Sequence, residues 1–168
     1  MQVYSADATA EGIWRANVEL ASVLHGFDPH GHPINGMNLS SKDLTGANFR
    51  GKDARLVQLN GATLQGAHFE RADLRGAELS YADLSTAELS NADLSGTHLE
   101  GSRFDRASVE GVKSLEGAIS TLATCWPAGF LELKIAKGLQ AAIWDDGVGH
   151  TEKGTGHEYP CPEKYRRP

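Results

Sequence analysis

Between Met37 and Gly111 an apolar residue returns at every fifth position, and mostly polar or small residues fill the places between. The series runs Leu39, Leu44, Phe49, Ala54, Leu59, Leu64, Phe69, Leu74, Leu79, Leu84, Leu89, Leu94, Leu99, Phe104 and Val109. Two residues before most of these stands a small one, such as Ala47, Ala62, Ala72, Ala82, Ala92, Thr97 or Ser102. A helix buries residues with a period of about 3.6 and a half-buried strand with a period of about 2, so neither is the repeating unit. A short repeat sustained this far predicts an all-β solenoid, a fold that usually offers a surface for binding. The large residue fills the axis, the small one lines the inside of a corner, and Asp, Asn and Ser bond the turn amides. Glycines such as Gly46, Gly66 and Gly96 fall at the junctions between repeats.

Tracts such as Arg71-Ala72-Asp73-Leu74-Arg75, Tyr81-Ala82-Asp83-Leu84-Ser85 and Asn91-Ala92-Asp93-Leu94-Ser95 closely resemble the A-(D/N)-L-x-x pattern of the pentapeptide-repeat family. The resemblance implies a right-handed quadrilateral β-helix with four repeats per coil. About four coils follow, a column roughly 19 Å tall at the usual strand spacing. Residues twenty apart then stack: Leu39, Leu59, Leu79 and Leu99 on one side, Leu44, Leu64, Leu84 and Phe104 on the next. The third side takes Phe49, Phe69, Leu89 and Val109, and the fourth Ala54, Leu74 and Leu94. Ala54 underfills its place, and Lys52 and Val57 replace small residues nearby. An irregularity is expected around Lys52 to Leu56, with Leu56 filling the gap.

The chain divides into an N-terminal segment with a capping helix (1–33), the repeat β-helix (34–115), a C-terminal cap with a candidate helix (116–144) and a flexible tail (145–168). Thr9 to His25 reads as an amphipathic helix in which Ile13, Trp14, Val18, Ala21 and Leu24 share one face and Gly26 ends the helix. Phe27 to Asn35 would lead into the first coil. After Gly111 the register slips, since Leu115 falls one place late. Thr124-Cys125-Trp126-Pro127-Ala128-Gly129-Phe130 resembles the T-x-W-P-x-G-F closing segment of bacterial pentapeptide runs, which implies aromatic residues folded across the last coil. Leu131 to Trp144 fits a strand by alternation and a helix by four-residue spacing; Ala141 and Ala142 tilt the reading toward helix. That apolar element could bury itself on the column or join two copies in a homodimer.

Composition narrows the function. The formal net charge of −6 argues against direct nucleic-acid binding by phosphate neutralisation. No apolar stretch approaches the ~20 residues of a membrane span, and no secretory signal is evident. Two cysteines, Cys125 and Cys161, are too few for a disulfide framework, so a reduced, cytoplasmic protein is expected.

The candidate chemistry is thin. His25, His30 and His32, with Asp28 nearby, have spacings that could hold a metal ion, but a Gly/Pro-rich lead-in loop explains them better. His150, His157, Cys161 and Cys125 are too dispersed for a zinc site. Asp53, Asp73 and Asp93 form a ladder on a convex side that offers no cleft to shift their pKa values, and Arg55 and Arg75 stand beside them. Neither a trusted Ser-His-Asp order, a phosphate-cradling loop nor a dinucleotide fingerprint is present. The expectation is a non-enzymatic protein with no catalytic residue, no cofactor and no metal site.

Some pentapeptide-repeat proteins mimic DNA and bind type II topoisomerases such as DNA gyrase, giving resistance to topoisomerase poisons; the resemblance makes this an alternative. Mimicry needs dense negative charge. Outward positions give Glu78 and Glu100 on the Leu39 side, and Asp43, Asp83 and Asp105 against Arg103 on the Leu44 side. The Phe49 side has Glu70, Glu88 and Glu110 against Arg50, and the Ala54 side has Asp53, Asp73 and Asp93 against Arg55 and Arg75. The arginines dilute the acid. The favoured reading is an interaction module or scaffold for an unidentified protein partner, with Glu78, Tyr81, His98 and Glu100 as the contact patch. A passive spacer that positions Trp144 and the tail is the competing view.

Overall fold

A side chain buried at every fifth residue requires the backbone to turn a corner between one buried position and the next. The computed structural model describes residues 9–121, 124–127, 130 and 143–145, and in it the corners recur with that period. Isolated parallel bridges join residues twenty apart, such as Asn38 to Gln58, Gln58 to Glu78 and Glu78 to His98. Equivalent ladders run from Val23 through Asp43, Thr63, Asp83 and Arg103 to Cys125, from Asn48 to Ser108, and from Asp53 to Ser114. Successive turns of the chain therefore stack through four ladders. Each rung is held by pairs such as Leu59 N donating to Glu78 O at 2.7 Å and Glu78 N donating to Val57 O at 2.9 Å. The strands are only bridge-length, because each extended stretch is interrupted by the next corner after about three residues.

The interior is the Leu/Phe series. Leu39, Leu44, Phe49, Leu59, Leu64, Phe69, Leu74, Leu79, Leu84, Leu89, Leu94, Leu99 and Phe104 are all buried, as are the alanines at the inward corner positions. Full burial of each large side chain is worth about 1.5–3 kcal/mol before the entropy of ordering is subtracted. Phe49 and Phe69 stack with ring centroids 4.8 Å apart, twenty residues apart in sequence.

At the N-terminal end α1 spans Ala10–Leu20, with Thr9 as N-cap accepting a hydrogen bond from Gly12 N at 3.1 Å. Sequence periodicity extends the helix to His25; the structure ends it at Ala21. The reason is tertiary pairing: Val23 bridges Asp43, and Leu24 N and Gly26 N donate to Asp43 O and Thr45 O. Leu24, Pro29 and Ile34 thus take the places twenty residues before Leu44, Phe49 and Ala54, and an irregular turn precedes the regular ones. Val18 is buried, and Trp14, Leu24 and Phe27 pack against the core.

Two lysines tie this end down. Lys42 and Lys52 sit where later turns have small inward residues. The Lys42 ammonium donates to Glu19 O at 2.6 Å and to Ala21 O, satisfying carbonyls that the helix end leaves open. Lys52 donates to His30 O. The irregularity expected near Ala54 is resolved differently from the sequence reading: Leu56 does not fill the gap but stands 65% exposed at a corner with φ 58°. Ala54 is buried between Ile34 and Leu74 in its stack, with Val57 also fully buried.

At the other end the turns continue past the slipped register by absorbing extra residues. Asp93 bridges Ser114, His98 bridges Ile119 and Arg103 bridges Cys125. Trp126 stacks on Phe104 at 4.9 Å and Phe130 stacks on Trp126 at 4.6 Å. Strand β1, Ile119–Thr121, pairs in parallel with β2, Ile143–Asp145. The helix favoured over Leu131 to Trp144 therefore does not hold at Ile143 and Trp144, where pairing with β1 selects the strand; 131–142 and the tail 146–168 lie outside the described residues. Cys125 is buried and disulfide-bonded, so the expected reduced state does not hold there.

Candidate interaction surface

On each side of the column two outward residues flank every core residue, so each side presents a strip of outward side chains. The Leu39 side carries Asn38 and Ser40, Gln58 and Asn60, Glu78 and Ser80, then His98 and Glu100. Glu78 and His98 are bridge partners. Glu100 draws neighbours together: its Oε2 accepts from Ser80 Oγ at 2.8 Å, and its Oε1 lies 3.3 Å from His98 Nδ1. Tyr81 stands at the adjoining corner, where its N donates to Glu100 O at 2.8 Å. The four residues of the proposed patch thus share one side and its edge.

Tyr81 is 74% exposed and has φ 60°, a left-handed conformation that costs a tyrosine energy. Its ring lies over the next corner of the same column, where a Cβ at Gly101 would come within 2.7 Å of Cδ1 and Cε1. The glycine makes room for the ring. The opposite edge of the same side repeats the arrangement: Leu56 lies over Gly76, whose Cβ would meet Leu56 Cδ2 at 2.9 Å. Sequence reasoning missed Leu56 as a surface residue. The signal was present, since it stands five residues from Gly51 and Gly61, in the corner register rather than the core one.

Each of the other three sides carries at least one arginine paired with a carboxylate. Arg55 pairs with Asp53 at 2.7 Å and reaches Asp73 at 3.8 Å, and Arg75 pairs with Asp73 at 2.6 Å. Hydrogen bonds from these arginines hold the Asp53 and Asp73 carboxyls below the usual carboxylate range. Asp93 accepts from Ser95 Oγ at 2.6 Å. On the Phe49 side Arg50 pairs with Glu70 at 2.6 Å; burial is the largest influence on Glu70 and opposes its ionisation, and the Arg50 hydrogen bond, a backbone hydrogen bond and the Arg50 and His68 charges together outweigh it, leaving the carboxyl below its ordinary value. On the Leu44 side Arg103 lies 3.5 Å from Asp83 and 3.3 Å from Asp105. Burial is likewise the largest influence on Asp83 and raises it, but bonds from Ser85 and Gln65 with the Arg103 charge together outweigh it and lower the carboxyl. A surface depression of about 460 Å³ is lined by Arg50, Gly51, Glu70, Arg71, Ser90 and Asn91, and its charges belong to that Arg50–Glu70 pair.

The N-terminal histidines do not converge. His25 Nε2 lies 2.6 Å from Asp43, His32 Nδ1 lies 2.6 Å from Glu11, and His30 Nδ1 lies 3.6 Å from Asp28. Bonding by His25 lowers Asp43, and the His30 backbone N–H lowers Asp28. His32 also stacks on Trp14 at 4.1 Å, so the imidazoles tie α1 and the lead-in loop to the first turns. Among the described residues, no three His, Cys, Asp or Glu side chains are grouped to hold a metal ion. Among the same residues, no helix is long and apolar enough to cross a membrane.

No curated protein matches the chain. Among solved structures, the chain is similar to a pentapeptide repeat protein from the Arabidopsis thaliana thylakoid lumen, at 34% identity and a TM-score of 0.50 over 51% of this chain. The chain spans 59% of the length of that protein. A pentapeptide repeat protein from Nostoc PCC 7120 aligns at 27% identity and a TM-score of 0.40, covering 79% of this chain and 94% of that one. QnrB1, a plasmid-mediated fluoroquinolone resistance protein, aligns at 25% identity and a TM-score of 0.40, covering 58% and 50%. The family model for pentapeptide repeats matches residues 55–91 and 87–113, with eight copies. With the five-residue register and the twenty-residue ladders, the family-model match identifies residues 55–113 as a run of pentapeptide repeats.

Proposed function

We propose that the chain is a non-enzymatic protein–protein interaction module, a right-handed four-sided β-helix that offers its Leu39 side to another protein. One observation carries this reading: an exposed tyrosine is held in a costly backbone conformation at the edge of a flat polar side. Tyrosine contributes large contact area at low entropic cost and is enriched at interfaces. Topoisomerase binding by DNA mimicry is supported less well, because arginines pair with several of the carboxylates that a mimic would need on three of the four sides. The disulfide at Cys125 favours an oxidising compartment over the cytoplasm expected from the cysteine count.

The test is capture from lysate of the source organism, scored by variant. Tyr81→Ala should abolish a reproducible partner that Leu20→Ala retains. A partner kept by Tyr81→Ala but lost on deletion of Asp145 to Pro168 would instead establish the spacer reading.

A further inference from the structure

We propose that the partner presents a basic amphipathic helix to the Leu39 side, with two apolar side chains seated against Leu56 and Tyr81 and a cation between them. The inference rests on the interaction reading above and adds the chemistry of what is bound.

The first observation is a difference in charge balance. The Leu44, Phe49 and Ala54 sides each answer their carboxylates with an arginine of their own. The Leu39 side has no Lys or Arg at its outward positions Asn38 to Glu100. Its two carboxylates, Glu78 and Glu100, stand on adjacent turns, and among the described residues the Glu100 carboxylate bonds Ser80 and lies 3.3 Å from His98 Nδ1. An acidic strip without an arginine or lysine of its own is complementary to a positive partner, which would gain both steering and specificity.

The second observation is independent of charge. Among the described residues of the regular turns, Leu56 and Tyr81 are the large apolar side chains that stand exposed, at 65% and 74%. They occupy the two corners that bound this same side, and each lies over a glycine of the next turn. Leu56 therefore reaches the turn of Glu78, and Tyr81 reaches the turn of Glu100. One side of the coil is about three extended residues wide, or roughly 10 Å at strand rise. Helix positions seven residues apart are separated by roughly 10.5 Å, two turns on one face. A helix laid across the strip can put apolar side chains on both edges and a Lys or Arg three or four residues between them over the glutamates.

Binding is measured by fluorescence anisotropy with two labelled 18-residue helical peptides, one of Lys and Ala and one of Glu and Ala, each with two Leu seven positions apart. The Lys peptide should bind full-length protein at least tenfold more tightly than the Glu peptide. Glu78→Gln with Glu100→Gln should remove most of that preference, while Glu110→Gln with Glu116→Gln, which changes net charge equally on other sides, should leave it within twofold. Leu56→Ala and Tyr81→Ala should each weaken binding of the Lys peptide severalfold. Equal loss in both glutamine pairs would reduce the preference to net charge and overturn the proposal. Lysate capture that is lost with Tyr81→Ala but indifferent to Glu78→Gln/Glu100→Gln would overturn the basic-helix inference and leave the interaction module standing. Capture indifferent to Tyr81, Leu56 and the glutamates would remove both.

Discussion

The Leu39 and Ala54 sides of the column are neighbours built on the same repeat, yet they treat charge in opposite ways. The Ala54 side interleaves Asp53, Arg55, Asp73 and Arg75 into a ladder with ion-pair distances from 2.6 to 3.8 Å. The Leu39 side sets Glu78 and Glu100 among amides and hydroxyls and frames them with Leu56 and Tyr81. A five-residue repeat fixes the interior strictly but leaves the outward positions free to differ from side to side. Function is therefore to be sought in what one side does that the others do not.

If the two sides differ only outside, damage to the interior must strike both alike. Leu79→Ala beneath the Leu39 side and Leu74→Ala beneath the Ala54 side should each cost about 2–5 kcal/mol in urea unfolding. A loss confined to one of them would mean the stacks are not equivalent. The corners come next. Gly101→Ala puts a Cβ 2.7 Å from the Tyr81 ring in a left-handed backbone, whereas Gly96→Ala meets only backbone at 3.9 Å. Gly96→Ala should cost about 1–2 kcal/mol for the backbone alone, and Gly101→Ala more. The excess at Gly101 should vanish in a Tyr81→Ala background, a double-mutant cycle that checks whether ring and glycine are coupled.

Charge changes are smaller. Asp73→Asn breaks an exposed ladder and should shift stability by about 0–1 kcal/mol, an effect that added salt shrinks. Acid unfolding sharpens the same contrast. The carboxyls of Asp53, Asp73, Glu70 and Asp83 lie below their ordinary values in the folded protein. Their stabilisation is present above the unfolded values of about 4 and is lost as pH falls through the lowered folded values. The urea midpoint should hold from pH 7 to about 5 and fall below pH 4. Asp53→Asn/Asp73→Asn should flatten that fall.

The core was legible because burial leaves a periodic signature: Leu39 to Phe104 were readable before any fold was known, and all are buried. That Glu78, His98 and Glu100 share one side, with Tyr81 at its edge, followed from the twenty-residue stacking that the family resemblance implied, and the bridge between Glu78 and His98 has that spacing; their role in binding belongs to the proposal. The ends were not. Leu24, Pro29 and Ile34 complete an early turn, but Leu24 also fits a helical face, and pairing with Asp43 and Thr45 decides the matter. Lys42 and Lys52 look like faults in a small-residue register; in the fold they are the cations that close helix and loop carbonyls. Leu56 looked like filler because apolar residues are expected inward, and its corner register sends it outward. Strand β2 pairs with β1 from more than twenty residues away, a choice that local spacing does not encode.

The most direct measurement is an amide chemical-shift titration of ¹⁵N-labelled full-length protein with the Lys–Leu helical peptide. Shifts should concentrate at Leu56, Gln58 to Asn60, Glu78 to Tyr81 and His98 to Glu100, with Asp53 to Arg55, Asp73 to Arg75 and Asp93 to Ser95 unmoved. Shifts spread evenly over all four sides, or centred on the aspartate ladder, would contradict the account.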